Sequence, residues 1–385
     1  MSPPAEPSRV VPLSQPTFGE EEIEALRSVL DSGWVAGQGP RGRELEDRFA
    51  AWCGDGHVVA VANCTAALHL AMLGFDVGPG DEVIVADYTY PATGHAVRYT
   101  GATPCFVDVR PDTWTIDVDA AAAAVSERTV GIVAVDTLGQ CADFAPLRKL
   151  AQRSGLFLVE DAACSVGATY RGEPSGSGTL SDVACFSLHA RKGITSGEGG
   201  LLATSDPDRA DRARRLSCFG VESAHARQAS GSLPIPVFEE LGYNYKLSDI
   251  QAAVALVQLG RLPELLRARR RVAAAYGELL GDLPGVTLPV VGEDREHTWQ
   301  TFALTLDPSL PRNEIATRLR AFGVQSNIGT FASHVQPVYG PQPPCPVSRG
   351  LFDRHVAIPM HANLTDSDVE YVASVVRDVV LAEAA

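Results

Sequence analysis

The chain has 385 residues, 45% of them hydrophobic and 21% charged, a balance ordinary for a globular protein and long enough for a substantial core. Its formal net charge of −15 argues against a nucleic-acid or anionic-membrane surface, because either partner would be repelled over most of the exterior. The length fits one large α/β domain with a smaller partner.

The N-terminal stretch MSPPAEPSRVVPLSQP lacks a basic region followed by an apolar core, and no run is long enough to cross a bilayer, so the chain reads as cytoplasmic. From about residue 57, β-rich runs alternate with helical stretches: HVVAVA, TAALHLAML, EVIVA, PCFV, TVGIVAVD, a helix near 143–154, and LFLVED. This alternation predicts a mainly parallel sheet covered by helices on both faces. The turns fall between these runs, at Gly78-Pro79-Gly80-Asp81 and at Gly101. DVACFS and GLLAT continue the strands, and residues 247–281 read as one or two long helices with Ser248 and Asp249 near the start as caps. The remainder, with WQTFALTL, a helix at 312–322 and a closing helix after Leu364, suits an α+β unit. The expected division is a large domain over 1–262 and a small C-terminal domain over 263–385.

The eight cysteines, Cys53, Cys64, Cys105, Cys141, Cys164, Cys185, Cys218 and Cys345, contain no Cys-x-x-Cys pair. The nine histidines show no pair on one helical face, so no metal is expected.

Four features carry chemistry. In the stretch Ser187-Leu188-His189-Ala190-Arg191-Lys192-Gly193, Lys192 follows a buried strand in a loop dense in small residues, where a planar ligand could approach the backbone. Taken alone, it would read as a solvated loop cation. Asp161 ends the apolar run LFLVED, where open α/β sheets place ligands; a carboxylate there can keep a pyridinium nitrogen protonated, although it could equally cap a helix. Asn63-Cys64-Thr65-Ala66-Ala67 joins a strand to a helix, giving either an anion seat of free N–H groups or an ordinary cap. Asp87-Tyr88-Thr89-Tyr90-Pro91-Ala92-Thr93 follows another strand and offers an aromatic face, though aromatics are more often core. Together they supply an amine, a partner for a ring nitrogen, a phosphate seat and a stacking ring.

At these residues, and through SGWVAGQGP, GPGDEVIV, PCFVDV, VEDAA, CFSLHARK, GEGG and ELGYNYKLSDIQAA, the sequence closely resembles the DegT/StrS-type sugar aminotransferases, a group within the fold type I pyridoxal-phosphate (PLP) enzymes. The resemblance covers nearly the whole chain. It implies that Lys192 forms the internal Schiff base with PLP and shuttles the substrate proton, and that Asp161 pairs with the pyridine nitrogen. It further implies that Cys64, Thr65 and Ser187 bind the phosphate, that Tyr90 stacks on the ring, and that Asn244 reaches the phosphate of the neighbouring subunit's cofactor in a homodimer with composite sites.

Two positions depart from the commonest family pattern: Cys64 stands where glycine is frequent, and Cys164 stands where His or Gln often accompanies the cofactor's phenolic oxygen. A thiol is a weak hydrogen-bonding group there. The segment Gln325-Ser326-Asn327-Ile328-Gly329-Thr330, followed by His334, resembles the lining of the sugar pocket, making Asn327 and His334 candidate substrate contacts.

The reaction implied is ping-pong transfer of an amino group from glutamate or glutamine to a keto-sugar, normally nucleotide-linked. The alternatives are a cyclitol or other natural-product ketone as acceptor, and a non-catalytic PLP or sugar sensor, which would have no need of Lys192. A nicotinamide-dependent oxidoreductase is excluded, because no Gly-x-Gly-x-x-Gly turn follows the first strand.

Overall fold

The β-rich runs pair into a seven-stranded sheet. Its edge-to-edge order is His57–Val61, Gly200–Thr204, Val183–Ser187, Phe157–Asp161, Thr129–Val135, Glu82–Ala86 and Thr103–Val107. The computed structural model describes residues 7, 9–54, 56–221, 235–238 and 240–384, so that residues 1–6 and 8 of the N-terminal stretch lie outside it. Gly200–Thr204 runs antiparallel to both neighbours, and the other ladders are parallel. The six carboxyl ends at Val61, Ala86, Val107, Val135, Asp161 and Ser187 therefore share one edge with the amino end at Gly200.

The strands are short apolar runs buried on both faces. Ile132, Val133, Leu158, Val159, Cys185 and Phe186 are essentially inaccessible, and helices cover each side. Helix Cys64–Gly74 lies on one face, its start fixed by the Asn63 side chain, which accepts from the Ala66 N–H at 2.8 Å. An Asn there satisfies a helix-start N–H that would otherwise have no partner.

Residues 247–281 resolve as a single helix, Asp249–Leu280, opened by a capping box in which Ser248 and Gln251 bond reciprocally. Asp249 has a second duty. Its buried carboxylate accepts from the N–H groups of Arg41 at 3.0 Å and Gly42 at 3.0 Å, capping the neighbouring helix Pro40–Trp52.

The long helix serves two cores. Ala252, Leu259, Leu262 and Leu266 pack with Phe49 and Phe186 against the large sheet. Val272, Tyr276 and Leu280 pack instead with Phe302, Leu304, Val356 and Val376. That second core lies against a three-stranded antiparallel sheet of Val286–Thr287, Phe302–Leu306 and His355–Ile358, with helices Arg312–Ala321 and Asp366–Ala384.

The division expected at 262/263 thus falls inside one continuous helix, which carries Pro263 in its interior, and the change of core comes between Leu266 and Val272. The N-terminal segment also crosses the expected line. Val11 is 1% exposed within the C-terminal core, its N–H donating to the Gly323 carbonyl at 2.8 Å and its carbonyl accepting from the Gln325 N–H at 3.1 Å.

Candidate active site

The loops leaving the shared sheet edge enclose a cavity of about 880 Å³, within the usual range for sites that take a cofactor or small ligand. Lys192 lies on its wall, in the loop between Val183–Ser187 and Gly200–Thr204. The loop is tied down along its length. The Lys192 N–H donates to the His189 carbonyl at 2.9 Å, the Thr195 hydroxyl to the Leu188 carbonyl at 2.8 Å, and the Gln251 amide to the Glu198 carbonyl at 2.8 Å. The Lys192 Nζ donates to Cys164 Sγ at 3.2 Å. Burial works against the ammonium charge, but Cys164, with Cys64 and Asp161 nearby, more than offsets it and holds the amine above its ordinary pKa.

Asp161 closes the strand Phe157–Asp161 and is 5% exposed. The Thr93 hydroxyl donates to one of its oxygens at 2.7 Å and the Ala163 N–H to the other at 3.2 Å, fixing the plane of the carboxyl group. Burial raises its pKa, and Thr93, Ala163 and the charge of Lys192 oppose that rise. A cationic ring nitrogen beside it would favour the ionised form.

Cys64, Thr65 and Ser187 stand together on the wall, where helix Cys64–Gly74 begins and strand Val183–Ser187 ends. The first N–H groups of that helix have no carbonyl of an earlier turn to bond, so they form a seat for an anion. The Cys64 thiol donates to the Cys185 carbonyl at 3.5 Å, and burial holds its pKa well above normal, so it is a packed thiol and the backbone is what position 64 offers a ligand. Gly200 lies against this seat: a Cβ there would come within 2.6 Å of Asn63 C, Asn63 O and Cys64 N. Gly200→Ala is expected to displace the helix start and weaken PLP binding roughly tenfold or more, read by absorbance titration of the apoprotein, at a stability cost of about 1–3 kcal/mol. Unchanged affinity would mean that the anion does not sit there.

The other expected residues divide. Tyr90 lines the cavity with 66% of its surface exposed, leaving its ring free to cover a flat ligand. Cys164 lies on the wall at the Lys192 amine. Asn327 is also on the wall, held by reciprocal backbone bonds with Ala357 at 3.2 and 2.7 Å.

His334 departs from the expectation. Its ring is bonded to the fully buried Asp87 carboxylate at 2.7 Å, its N–H donates to the same group at 2.6 Å, and it is not part of the cavity wall. A carboxylate buried at the end of strand Glu82–Ala86 needs donors, and His334 and the Ser348 hydroxyl meet that need. Asn244 is exposed and lies outside the cavity of its own chain, accepting from the Lys246 amine; its sequence neighbours Tyr243 and Tyr245 stack their rings on each other.

The sequence reading assigned no role to Thr93, although it belongs to the quoted run after EVIVA; a hydroxyl next to a strand-end loop was the signal. Leu13 and Ser14 also join the wall, brought there because the Met360 N–H donates to the Leu13 carbonyl at 3.0 Å. No local pattern marks that contact.

A lysine amine, an oriented buried carboxylate and a helix-start anion seat around one cavity fit the aldehyde, ring nitrogen and phosphate of PLP. The fold and these groups define a PLP-dependent aminotransferase. The sequence model of the DegT/DnrJ/EryC1/StrS aminotransferase family matches residues 16–377, and the chain belongs to that family. It is 36% identical over 381 residues to the spore coat polysaccharide biosynthesis protein SpsC of Bacillus subtilis (strain 168), covering 96% of this chain and 97% of SpsC. Among solved structures it resembles the PLP form of the putative sugar aminotransferase Spr1654 from Streptococcus pneumoniae, at TM-score 0.91 and 28% identity over 97% of this chain and 99% of that one. It also resembles DesI, solved in the presence of its TDP-sugar product, at TM-score 0.87 and 34% identity over 97% of this chain and 94% of DesI. The protein is a sugar aminotransferase of this family.

Proposed function

We propose that this enzyme moves an amino group from glutamate or glutamine to a nucleotide-linked keto-sugar, using Lys192 and Asp161 with PLP. The observation that carries the reading is the opening of the Lys192 amine, the Asp161 carboxylate and the Cys64–Thr65 helix start into one cavity with room beyond the cofactor seat. The TDP-sugar product of the related DesI supports a nucleotide carrier, and the polysaccharide role in the name of SpsC supports a sugar acceptor.

Bound PLP supplies an electron sink for charge developing at the substrate carbon. Lys192 is the residue that would hold PLP, and its amine would take the proton from the donor carbon and later deliver one to the sugar carbon. Asp161, its plane set by Thr93 and Ala163, would keep the ring nitrogen protonated. The helix start and the Thr65 and Ser187 hydroxyls would hold the phosphate, and Tyr90 would cover the ring. Asn327 and the adjoining Gly329–Thr330 backbone lie on the wall where the sugar would enter.

The proposed assembly is a homodimer in which Asn244 completes the phosphate seat of the other subunit. Its exposed position outside its own cavity supports this, as do the apolar side chains nearby in sequence, Ile235 at 85% and Leu241 at 85% exposure, which would be costly on a lone chain. Verified heterodimers of Lys192→Ala with Asn244→Ala chains contain one site that is wild type at both positions. They are expected to recover up to half of wild-type activity while each parental homodimer stays impaired. Absence of recovery would place Asn244 within its own site or outside catalysis.

The acceptor is tested by incubating the PLP-loaded enzyme and an amino donor with a panel of nucleotide keto-sugars and free cyclitol ketones, following replacement of carbonyl by amine by mass spectrometry. Turnover of nucleotide keto-sugars is the expected result. Amination of free cyclitol ketones alone would overturn the nucleotide-linked reading.

A further inference from the structure

Arg269 lies in the second half of helix Asp249–Leu280 and is 5% exposed. One guanidinium nitrogen, Nη1, donates to the carbonyls of Trp299 at 3.1 Å, Met360 at 3.3 Å and Gln300 at 3.5 Å. The other, Nη2, donates to the carbonyl of Lys192 at 3.3 Å. Among the described residues, buried Nε has no hydrogen-bond partner. Burial pulls the group down to a pKa of about 10, and no described carboxylate acts to raise it.

A cation placed in the interior without a counterion is expensive, and a methionine or leucine could fill comparable space without that penalty. What the guanidinium adds is its planar fork, which reaches carbonyls on two sides at once. The carbonyls belong to separate segments: the loop bearing Lys192, the Trp299–Gln300 turn before strand Phe302–Leu306, and Met360 just after strand His355–Ile358. Lys192, Gln300 and Met360 all form part of the cavity wall, whereas Arg269 does not. The seam is fastened a second time where the Gln300 amide donates to the Arg191 carbonyl at 3.1 Å.

We infer that Arg269 is the positioning residue for the reacting amine: it pins the Lys192 backbone to the C-terminal wall of the cleft, so that Nζ enters the cavity from a fixed origin. The inference rests on the assignment of Lys192 as the amine that bonds PLP. Arg269 is not on the cavity wall, so it acts on the reaction through the backbone of Lys192. Small displacements of a reacting group are costly in rate, so the arginine contributes by orientation.

The test compares full-length wild type with Arg269→Lys and Arg269→Met. A lysine keeps the charge but cannot span the carbonyls, and methionine removes the charge at similar bulk. The readouts are the rate at which apoprotein mixed with PLP gains a borohydride-trapped pyridoxyl group on Lys192, hydrogen exchange of residues 188–196 without cofactor, and kcat separately from KM. Folded Arg269→Lys is expected to label Lys192 roughly tenfold more slowly or worse. Its loop should exchange faster while strand Thr129–Val135 is unchanged, and kcat should fall more than KM rises. Wild-type labelling and loop exchange in Arg269→Lys would overturn the inference. So would a folded Arg269→Met whose exchange rises equally across the chain, which would make the residue merely structural. Should Arg269→Met fail to fold, Arg269→Lys decides. If wild type itself labels a different lysine, the Lys192 assignment fails, and loop exchange still reports whether Arg269 holds the loop.

Discussion

Replacing Lys192 by alanine should abolish transamination while leaving the fold intact. The side chain lies on the cavity wall with its nitrogen bonded, among the described residues, to Cys164, so its removal leaves the ties of the surrounding loop in place. Those ties run from backbone groups and from Thr195 and Gln251, not from the lysine amine. Loss of a positioned proton-transfer group alone commonly costs about 10²–10⁴ in rate. Here the covalent anchor goes as well, so a loss of roughly 10³-fold or more is expected, about 4 kcal/mol of transition-state stabilisation. Circular dichroism should be unchanged. Borohydride reduction of PLP-loaded wild type followed by peptide mapping should place the pyridoxyl label on Lys192, and a label on another lysine would remove the assignment.

Asp161→Asn should retain the shape of the site and lose its charge. An asparagine carbonyl can still accept from Thr93, but a neutral amide cannot hold a ring nitrogen in its cationic form. Asp161 is buried, and burial lifts its pKa in the free protein more than Thr93, Ala163 and Lys192 lower it, so a cationic ring nitrogen would further favour its charge. The expected loss is a hundredfold or more in turnover, roughly 3 kcal/mol, with PLP affinity much less affected. A variant turning over near the wild-type rate would show that Asp161 only caps and packs.

Much of the large sheet was legible because its strands are short runs of β-branched and aliphatic residues bounded by turns. HVVAVA, EVIVA, PCFV, TVGIVAVD, LFLVED, DVACFS and GLLAT all became strands at those places. Their order was not legible. Gly200–Thr204 inserts antiparallel between His57–Val61 and Val183–Ser187, and only the tertiary fold decides which edges meet.

Helices Glu20–Ser32 and Pro40–Trp52 lay outside the reading, although three consecutive glutamates and a proline at the first turn marked their starts. Lys192, Asp161 and the Cys64–Thr65 start were visible because strand ends concentrate ligand groups in open α/β sheets. His334 was named because its segment resembles the lining of the sugar pocket; in the fold its ring and N–H are committed to the buried Asp87 carboxylate, a pairing that the sequence does not mark.

The pairing of Val11 with Gly323 and Gln325 has a consequence for how the protein is made. On the ribosome, the segment around Val11 and Leu13 is made roughly 310 residues or more before its partners at Gly323, Gln325 and Met360. The large sheet and the first half of the long helix can assemble while that segment waits. The C-terminal core, and with it the Leu13–Ser14 part of the active-site wall, closes only after the strand and turn leading to Met360 have left the exit tunnel.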